Sequence, residues 1–497
     1  MSIRERRKTE LKIEAKNFGP ISGGKITLKP LTLFIGPNNS GKSYAAMLVH
    51  SIFESYTSTT LPPGMPPFMR GRFFAEYLDI HTFRKEFPEL KRQIDGLKEG
   101  EELEIPKQFI EKVTNKIFEE VYEKRLSDEI VRSFACPLNE LIRIGKRSFA
   151  LKINFNSYGT HLTYQKNKLK IKEYPQLDIK IRIKVTKGLD LVFKEDEKKK
   201  EILIQMGALL WMKKKEKKFA YIQFLILEVC ASKILEKVAM PCYYLPAARS
   251  GILLGHKVLA ASIVKKAPYV GIERLEIPKF SGVVSDFISS VITLPEEKGP
   301  FYQLAQNFEK ELIKGEIVVR TLDEYLYPEI KYNFQDTDIP LHRASSTISE
   351  LAPLFLYLKY IIKQGSILII EEPEAHLHPE NQRILAKFLV KLVRKDVNII
   401  ITTHSEYLLE QLSSFILLSK VEPKKRVEKY KYSEEDFLKP DEVATYVFNY
   451  DIKSSGHKIT EVEITEEDGI LQEEFLKIHE ALYEETIKLR RDLRAET

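Results

Sequence analysis

Apolar residues fall along this chain in three rhythms, and each predicts a different element. Unbroken runs such as Leu31-Thr32-Leu33-Phe34-Ile35, Ile367-Leu368-Ile369-Ile370 and residues 397–402 are the mark of short strands buried on both faces. Strict alternation over 149–155 and 177–183 predicts strands with one wet face, and shorter strands are expected over 11–18 and 25–29. Helical spacing appears over 380–395, where Ile384, Leu385, Phe388, Leu389, Leu392 and Val393 share a stripe. It recurs over 43–50, in charged stretches between 81 and 123, and over 406–412, which is followed by another apolar run at 415–418. After Ala344, residues Leu354, Phe355, Leu358 and Ile362 share one face and Gly365 is the expected stop. A terminal helix is expected to set Leu471, Phe475, Ile478 and Leu482 on one face, packed as part of the same fold, behind a strand over 459–464.

The last third alternates strand and helix, which predicts an α/β class with a parallel sheet covered by helices and ligands at the carboxyl ends of the strands. Glu371 and His404 both stand at such ends. The start of the chain shares this character up to Leu61-Pro62-Pro63-Gly64-Met65-Pro66-Pro67, a turn-rich break that no helix continues through. From there to about Met240 the elements are charged helices, alternating strands and an amphipathic helix. The expected organisation is therefore 1–60 and 241–497 as two parts of one fold, split by an α+β insertion over 61–240. No internal repeat is evident.

Composition narrows the class. A chain of 497 residues with 43% apolar content exceeds one simple core and is not globally disordered. The net charge of +7, from 78 basic and 71 acidic side chains, permits a nucleic-acid partner without demanding one. The lysine runs at 198–200 and 213–218 read as solvated helix faces. Cys136, Cys230 and Cys242 are scattered and have no CxxC spacing, which argues against a disulfide framework or zinc site and fits a reducing cytoplasm. The first ten residues lack an apolar core, and residues 219–232 are too short for a membrane span and carry Glu228, so a soluble protein is expected.

Chemistry concentrates in two segments more than three hundred residues apart. Gly36-Pro37-Asn38-Asn39-Ser40-Gly41-Lys42-Ser43, ahead of Tyr44, matches the GxxxxGK[ST] phosphate-binding loop. There backbone N–H groups wrap phosphate oxygens, Lys42 reaches the outer phosphates, and Ser43 ligates Mg²⁺. The preceding buried strand and following helix are the context that such a loop needs, because the helix dipole favours an anion. Glu371 and Glu372 end the second apolar strand: the first can hold Mg²⁺ through water, and the second can orient or deprotonate the attacking water. His404, leaving another buried strand, can hydrogen-bond the terminal phosphate. His376 and His378 with Glu374 do not make a convincing metal site. Arg249 follows the strand Tyr243-Tyr244-Leu245 in the basic turn 246–251, where sensing of nucleotide or of the insertion's position and a surface ion pair fit equally well.

Residues 36–43, 367–373 and His404 together resemble the ABC-type ATPase head of SMC-like repair proteins. The local matches Asn17-Phe18-Gly19-Pro20-Ile21, Pro246-Ala247-Ala248-Arg249-Ser250 and Glu371-Glu372-Pro373-Glu374-Ala375-His376-Leu377-His378-Pro379 resemble its prokaryotic OLD-related branch. The resemblance covers about 8–55 and 240–425. It implies ATP and Mg²⁺ as ligands, an antiparallel β lobe beside the parallel sheet, and a homodimer in which ATP is sandwiched between two heads. The serine-rich signature that touches the partner's nucleotide corresponds to 344–351, with Ser345 and Ser346 as the phosphate contacts. Thr347 stands where the family usually has glycine, and Glu371 where aspartate is commoner. The 376–378 segment falls in the loop that contacts the opposite head. The resemblance further implies action on double-stranded DNA or on a separate nuclease or effector subunit, with roles in DNA repair or antiphage defence. A TOPRIM nuclease would need room and a clustered set of acidic metal ligands after His404, so none is expected in the 93 residues that follow it here (497 − 404). Two other readings stand beside the ATPase: a low-turnover nucleotide-gated sensor or scaffold, and the motor subunit of a membrane transporter, which the long insertion disfavours.

Overall fold

Five consecutive apolar or hydroxyl side chains, Leu31–Ile35, are all buried, and only a strand covered on both faces can accept such a run. This strand, β1, lies in a computed structural model that describes residues 11–57, 86–155, 158–166, 168–188, 190–208, 218–238, 240–255, 279–322, 325–471 and 480–490. The chain separates into two compact units, residues 1–25 with 47–241 and residues 26–46 with 242–497. Helix α1, Lys42–Thr57, begins in the second unit.

The second unit is built on β1, β2 (Cys242–Leu245), β3 (Ile367–Glu371), β4 (Asn398–Thr403), β5 (Val443–Asp451) and β6 (Gly456–Val462). Their order is β2-β3-β4-β1-β5-β6. The first five strands run parallel and only β6 is antiparallel. This is the expected α/β class. Helices α2 (Ser346–Leu356), α3 (Pro379–Arg394) and α4 (Glu406–Leu417) carry buried stripes, and Leu385, Phe388, Leu389, Leu408, Leu412 and Phe415 join β1, β3 and β4 in one core. Every parallel crossover delivers its strand end to the same edge, so β1, β3 and β4 all present their carboxyl ends there.

The first unit contains an antiparallel array, Leu11–Phe18, Phe149–Phe155, Tyr158–Gln165 and Lys168–Glu173. It also holds a four-stranded sheet and the helices Pro88–Gly96, Lys107–Ile117, Glu123–Phe134 and Lys218–Val238. Among the described residues no helix is long and apolar enough to cross a membrane.

Several boundaries depart from expectation. The run at 415–418 continues α4 up to Leu417, because Leu408, Leu409, Leu412, Phe415 and Ile416 recur at helical spacing. The strand expected over 177–183 is Lys180–Thr186, since the alternation persists through Val185. The one expected over 25–29 is Ile21–Thr27, because Lys29 N–H donates to Thr32 Oγ1 at 3.0 Å and turns the chain. The strand over 459–464 divides into Gly456–Val462 and Ile464–Thr465. Lysines 198–200 occupy an exposed turn between the strands Leu191–Asp196 and Glu201–Gly207 rather than a helix face. Leu482 is 55% exposed and not packed. The expectations at 1–10, 61–67, 81–85, 213–217, Phe475 and Ile478 fall outside the described residues.

Candidate functional site

The loop 36–43 leaves β1 and enters α1 through three left-handed residues, Gly36 (φ 132°), Asn39 (φ 61°) and Gly41 (φ 103°). Only glycine fits the first, because a Cβ there would stand 2.8 Å from Phe448 O on the neighbouring β5. Pro37, Asn38 and Asn39 are exposed, Ser40 is buried, and Ser43 is exposed on the first turn of α1 beside half-buried Tyr44. Lys42 opens the helix, and its ammonium folds back to donate to Gly36 O (2.9 Å) and Pro37 O (2.8 Å). Burial pulls its pKa down to about 8, against the opposing pull of Glu372, Glu374 and Glu371. That opposition places all three carboxylates within electrostatic reach of Lys42.

Glu371 is the last residue of β3 and is 8% exposed. Its Oε2 accepts from Ala247 N–H at 3.0 Å, whereas Oε1 is buried with no hydrogen-bond partner among the described residues. The Tyr244 phenol beside it is pushed well above its usual pKa by burial and by that carboxylate. Glu372 adopts φ 44°, and its N–H is held by Thr402 O (2.9 Å) and Thr402 Oγ1 (3.3 Å) on β4. This pins the strained peptide and turns the side chain outward, 45% exposed, with Oε1 3.8 Å from His404 Nε2. The imidazole pKa is lowered, by burial first and by Lys42 second, so His404 is neutral near pH 7.

Sequence reasoning missed Glu374 as a member of this group. Its Oε1 accepts from Thr403 Oγ1 (2.6 Å) and His404 N–H (2.9 Å), fixing the backbone that presents His404. Its other oxygen is buried without a hydrogen-bond partner among the described residues, and burial raises the pKa of the carboxyl. The available signal was a third carboxylate three residues beyond Glu371.

Ser345 caps α2 by accepting from Ile348 N–H at 3.4 Å, and both Ser345 and Ser346 are exposed. Among the described residues no hydrogen bond or ion pair joins these serines to the 36–43 loop. Thr347 does have a use, as its hydroxyl donates to His376 O at 2.8 Å. His378 Nδ1 accepts from Glu380 N–H and caps α3. Arg249 is not a surface ion pair: its side chain and that of Glu350 are each 1% exposed and lie 3.4 Å apart.

Residues 276–409 match the AAA ATPase domain family, a span that includes Ser345, Ser346, Glu371, Glu372 and His404 but not the 36–43 loop. That match supports an ATP-binding ATPase. Comparison with curated proteins gives no match. Among solved structures, the SMC head domain from Thermotoga maritima aligns over 92% of this chain and 100% of its own, with 11% identity and a TM-score of 0.34. An SMC head bound to the C-winged helix domain of ScpA aligns over 92% and 98%, with 9% identity and a TM-score of 0.38. The SMC head with an extended coiled coil bound to the C-terminal domain of ScpA, from Pyrococcus furiosus, aligns over 96% and 99%, with 12% identity and a TM-score of 0.37.

Proposed function

We propose that this chain is an ABC-type ATPase head of the OLD-related kind that binds ATP with Mg²⁺ in the 36–43 loop, hydrolyses it, and pairs with a second copy while ATP is held. In this reading the pairing drives action on double-stranded DNA or on a separate effector subunit in the cytoplasm. The observation that carries the proposal is the meeting of Lys42 with Glu371, Glu372, Glu374 and His404 at the carboxyl ends of β1, β3 and β4.

The residues suit the ligand. A phosphate loop needs successive N–H groups turned inward, and left-handed residues at 36, 39 and 41 allow that. Lys42 is poorly compensated and would exchange two carbonyl contacts for phosphate oxygens. The orphaned Glu371 Oε1 and the exposed Ser43 hydroxyl are the groups that would hold Mg²⁺, directly or through water. When bound, that ion supplies charge neutralisation and alignment of the phosphate oxygens. Glu372, freer than its neighbour, orients the attacking water and takes its proton. Neutral His404 retains one N–H to donate toward the terminal phosphate, and Glu374 keeps it in place. Ser345 and Ser346, both exposed at a helix start, contact the nucleotide of the second copy.

Phosphate release by the purified chain, with and without duplex DNA, tests this beside Glu372→Gln. The variant should lose about 10²- to 10⁴-fold in kcat, as expected for removal of a positioned base. It should also accumulate as a dimer in ATP by light scattering. Equal and negligible release from both proteins would favour a low-turnover sensor, and a monomer in ATP would remove the trans role of Ser345 and Ser346.

A further inference from the structure

All three nitrogens of the Arg249 guanidinium donate inside the protein, and their targets belong to three separate segments. Its Nε donates to Glu350 O at 3.0 Å and faces Glu350 Oε1 at 3.4 Å. Nη1 donates to Glu371 O (2.7 Å) and Pro246 O (3.3 Å), and Nη2 donates to Glu372 O at 3.3 Å. Glu350 is held from its other side by Ser250 N–H, which donates to Oε2 at 3.2 Å. One guanidinium therefore spans the turn after β2, the two peptide oxygens of the carboxylate pair, and the first turns of α2. A planar fork of five donors can do this, whereas a single ammonium cannot.

We propose that Arg249 is a positioning residue that couples the helix opened by Ser345 and Ser346 to the backbone of Glu371 and Glu372. The inference rests on the ATPase-pairing reading and adds the route by which one copy's contact reaches the other's chemistry. Glu372 sits in a left-handed conformation that a non-glycine residue keeps only under restraint, and its carbonyl is one of the groups that Arg249 grips. Glu350 lies on the same short helix as the exposed serines, so a displacement of the helix start by a second copy's nucleotide pulls on Arg249. Thr347, bonded to His376 O, makes a second link between that helix and the segment following Glu372. Both links act on the peptides that aim Glu372, so the readout is the rate of the chemical step rather than the first encounter with ATP.

The test uses the full chain with Arg249→Lys, Ser346→Ala and the double variant, measuring ATP affinity, KM, kcat and melting temperature. Lysine keeps the charge beside Glu350 but cannot reach all four carbonyls. ATP affinity and KM should stay within about threefold while kcat falls at least tenfold. Because the two residues act along one route, the double variant should lose less than the product of the single losses. Glu350→Gln, which keeps an oxygen for Ser250 N–H, should show the same non-multiplicative loss with Ser346→Ala and decides the matter if Arg249→Lys does not fold. Losses that multiply, or a kcat change that tracks lost ATP affinity, overturn the coupling while leaving the ATPase reading intact. A wild-type chain that neither hydrolyses ATP nor pairs overturns both.

Discussion

Two lysines of the second unit are buried to a similar degree, and their surroundings are opposite. Lys359, in a single π-helical turn after α2, is 0% exposed, with Nζ 2.7 Å from Glu309, 3.0 Å from Glu316 and 2.8 Å from Ile317 O. Its charge is fully matched, and nothing is left for a ligand. Lys42 is 6% exposed, yet its hydrogen bonds go to two loop carbonyls, and the three carboxylates of its site act on it only from a distance. A completed ion pair works as scaffold, whereas a desolvated cation with partial compensation is a receptor awaiting an anion. The same residue type thus does opposite work according to whether the fold finishes its bonds.

The largest effect should come from breaking the finished set. Lys359→Met strands Glu309, which burial already pushes up to about 7 even with the ammonium beside it. A loss of about 3–5 kcal/mol in unfolding free energy is expected from denaturant titration, as for other buried pairs deprived of one partner. Adding Glu309→Leu should recover much of it, and a double variant no better than the single would mean that the pair is not acting as a unit. Lys42→Ala should do the reverse. Removing a strained charge leaves stability equal or higher, while calorimetry should record a loss of about 1.5–3 kcal/mol in ATP affinity, roughly ten- to hundredfold. Unchanged affinity would detach Lys42 from the nucleotide and dissolve the contrast with Lys359.

Much of this arrangement is legible in the sequence where local pattern and tertiary environment agree. Runs buried on both faces gave β1 and β3 away, and the GxxxxGK[ST] spacing gave away the loop between β1 and α1. The 415–418 run misled because four apolar residues look alike in a strand or at the end of a helix, and only the packing of α4 decides. Glu374, Glu350 and Glu309 were given no role from the sequence for a different reason. Each is a carboxylate whose meaning comes from a partner brought near by the crossovers: His404 N–H, Arg249, and Lys359. A sequence shows that a charge exists, but burial decides whether it will be paired, and Arg249, which looked equally suited to a surface, is among the most buried side chains of the described residues.

The smallest expected effect probes the Lys42 side of the comparison most directly. In the folded chain without ligand, burial lowers the Lys42 pKa from 10.5 to about 8, so the fold disfavours the ammonium. That cost is fully present below pH 8 and fades as pH rises from 8 toward 10.5, where the unfolded lysine also loses its proton. A triphosphate placed against the ammonium favours the charged form and moves the pKa back up. Near pH 8, where a substantial share of the free chain is deprotonated at Lys42, ATP binding should therefore draw in a proton. At pH 6.5, with the lysine already charged, that uptake should be nearly absent. Titration calorimetry in two buffers of different ionisation enthalpy separates the cases, and Lys42→Ala should abolish the uptake at pH 8. Uptake that is equal at both pH values, or that persists in the variant, would assign the proton to another group and leave Lys42 as quiet as Lys359.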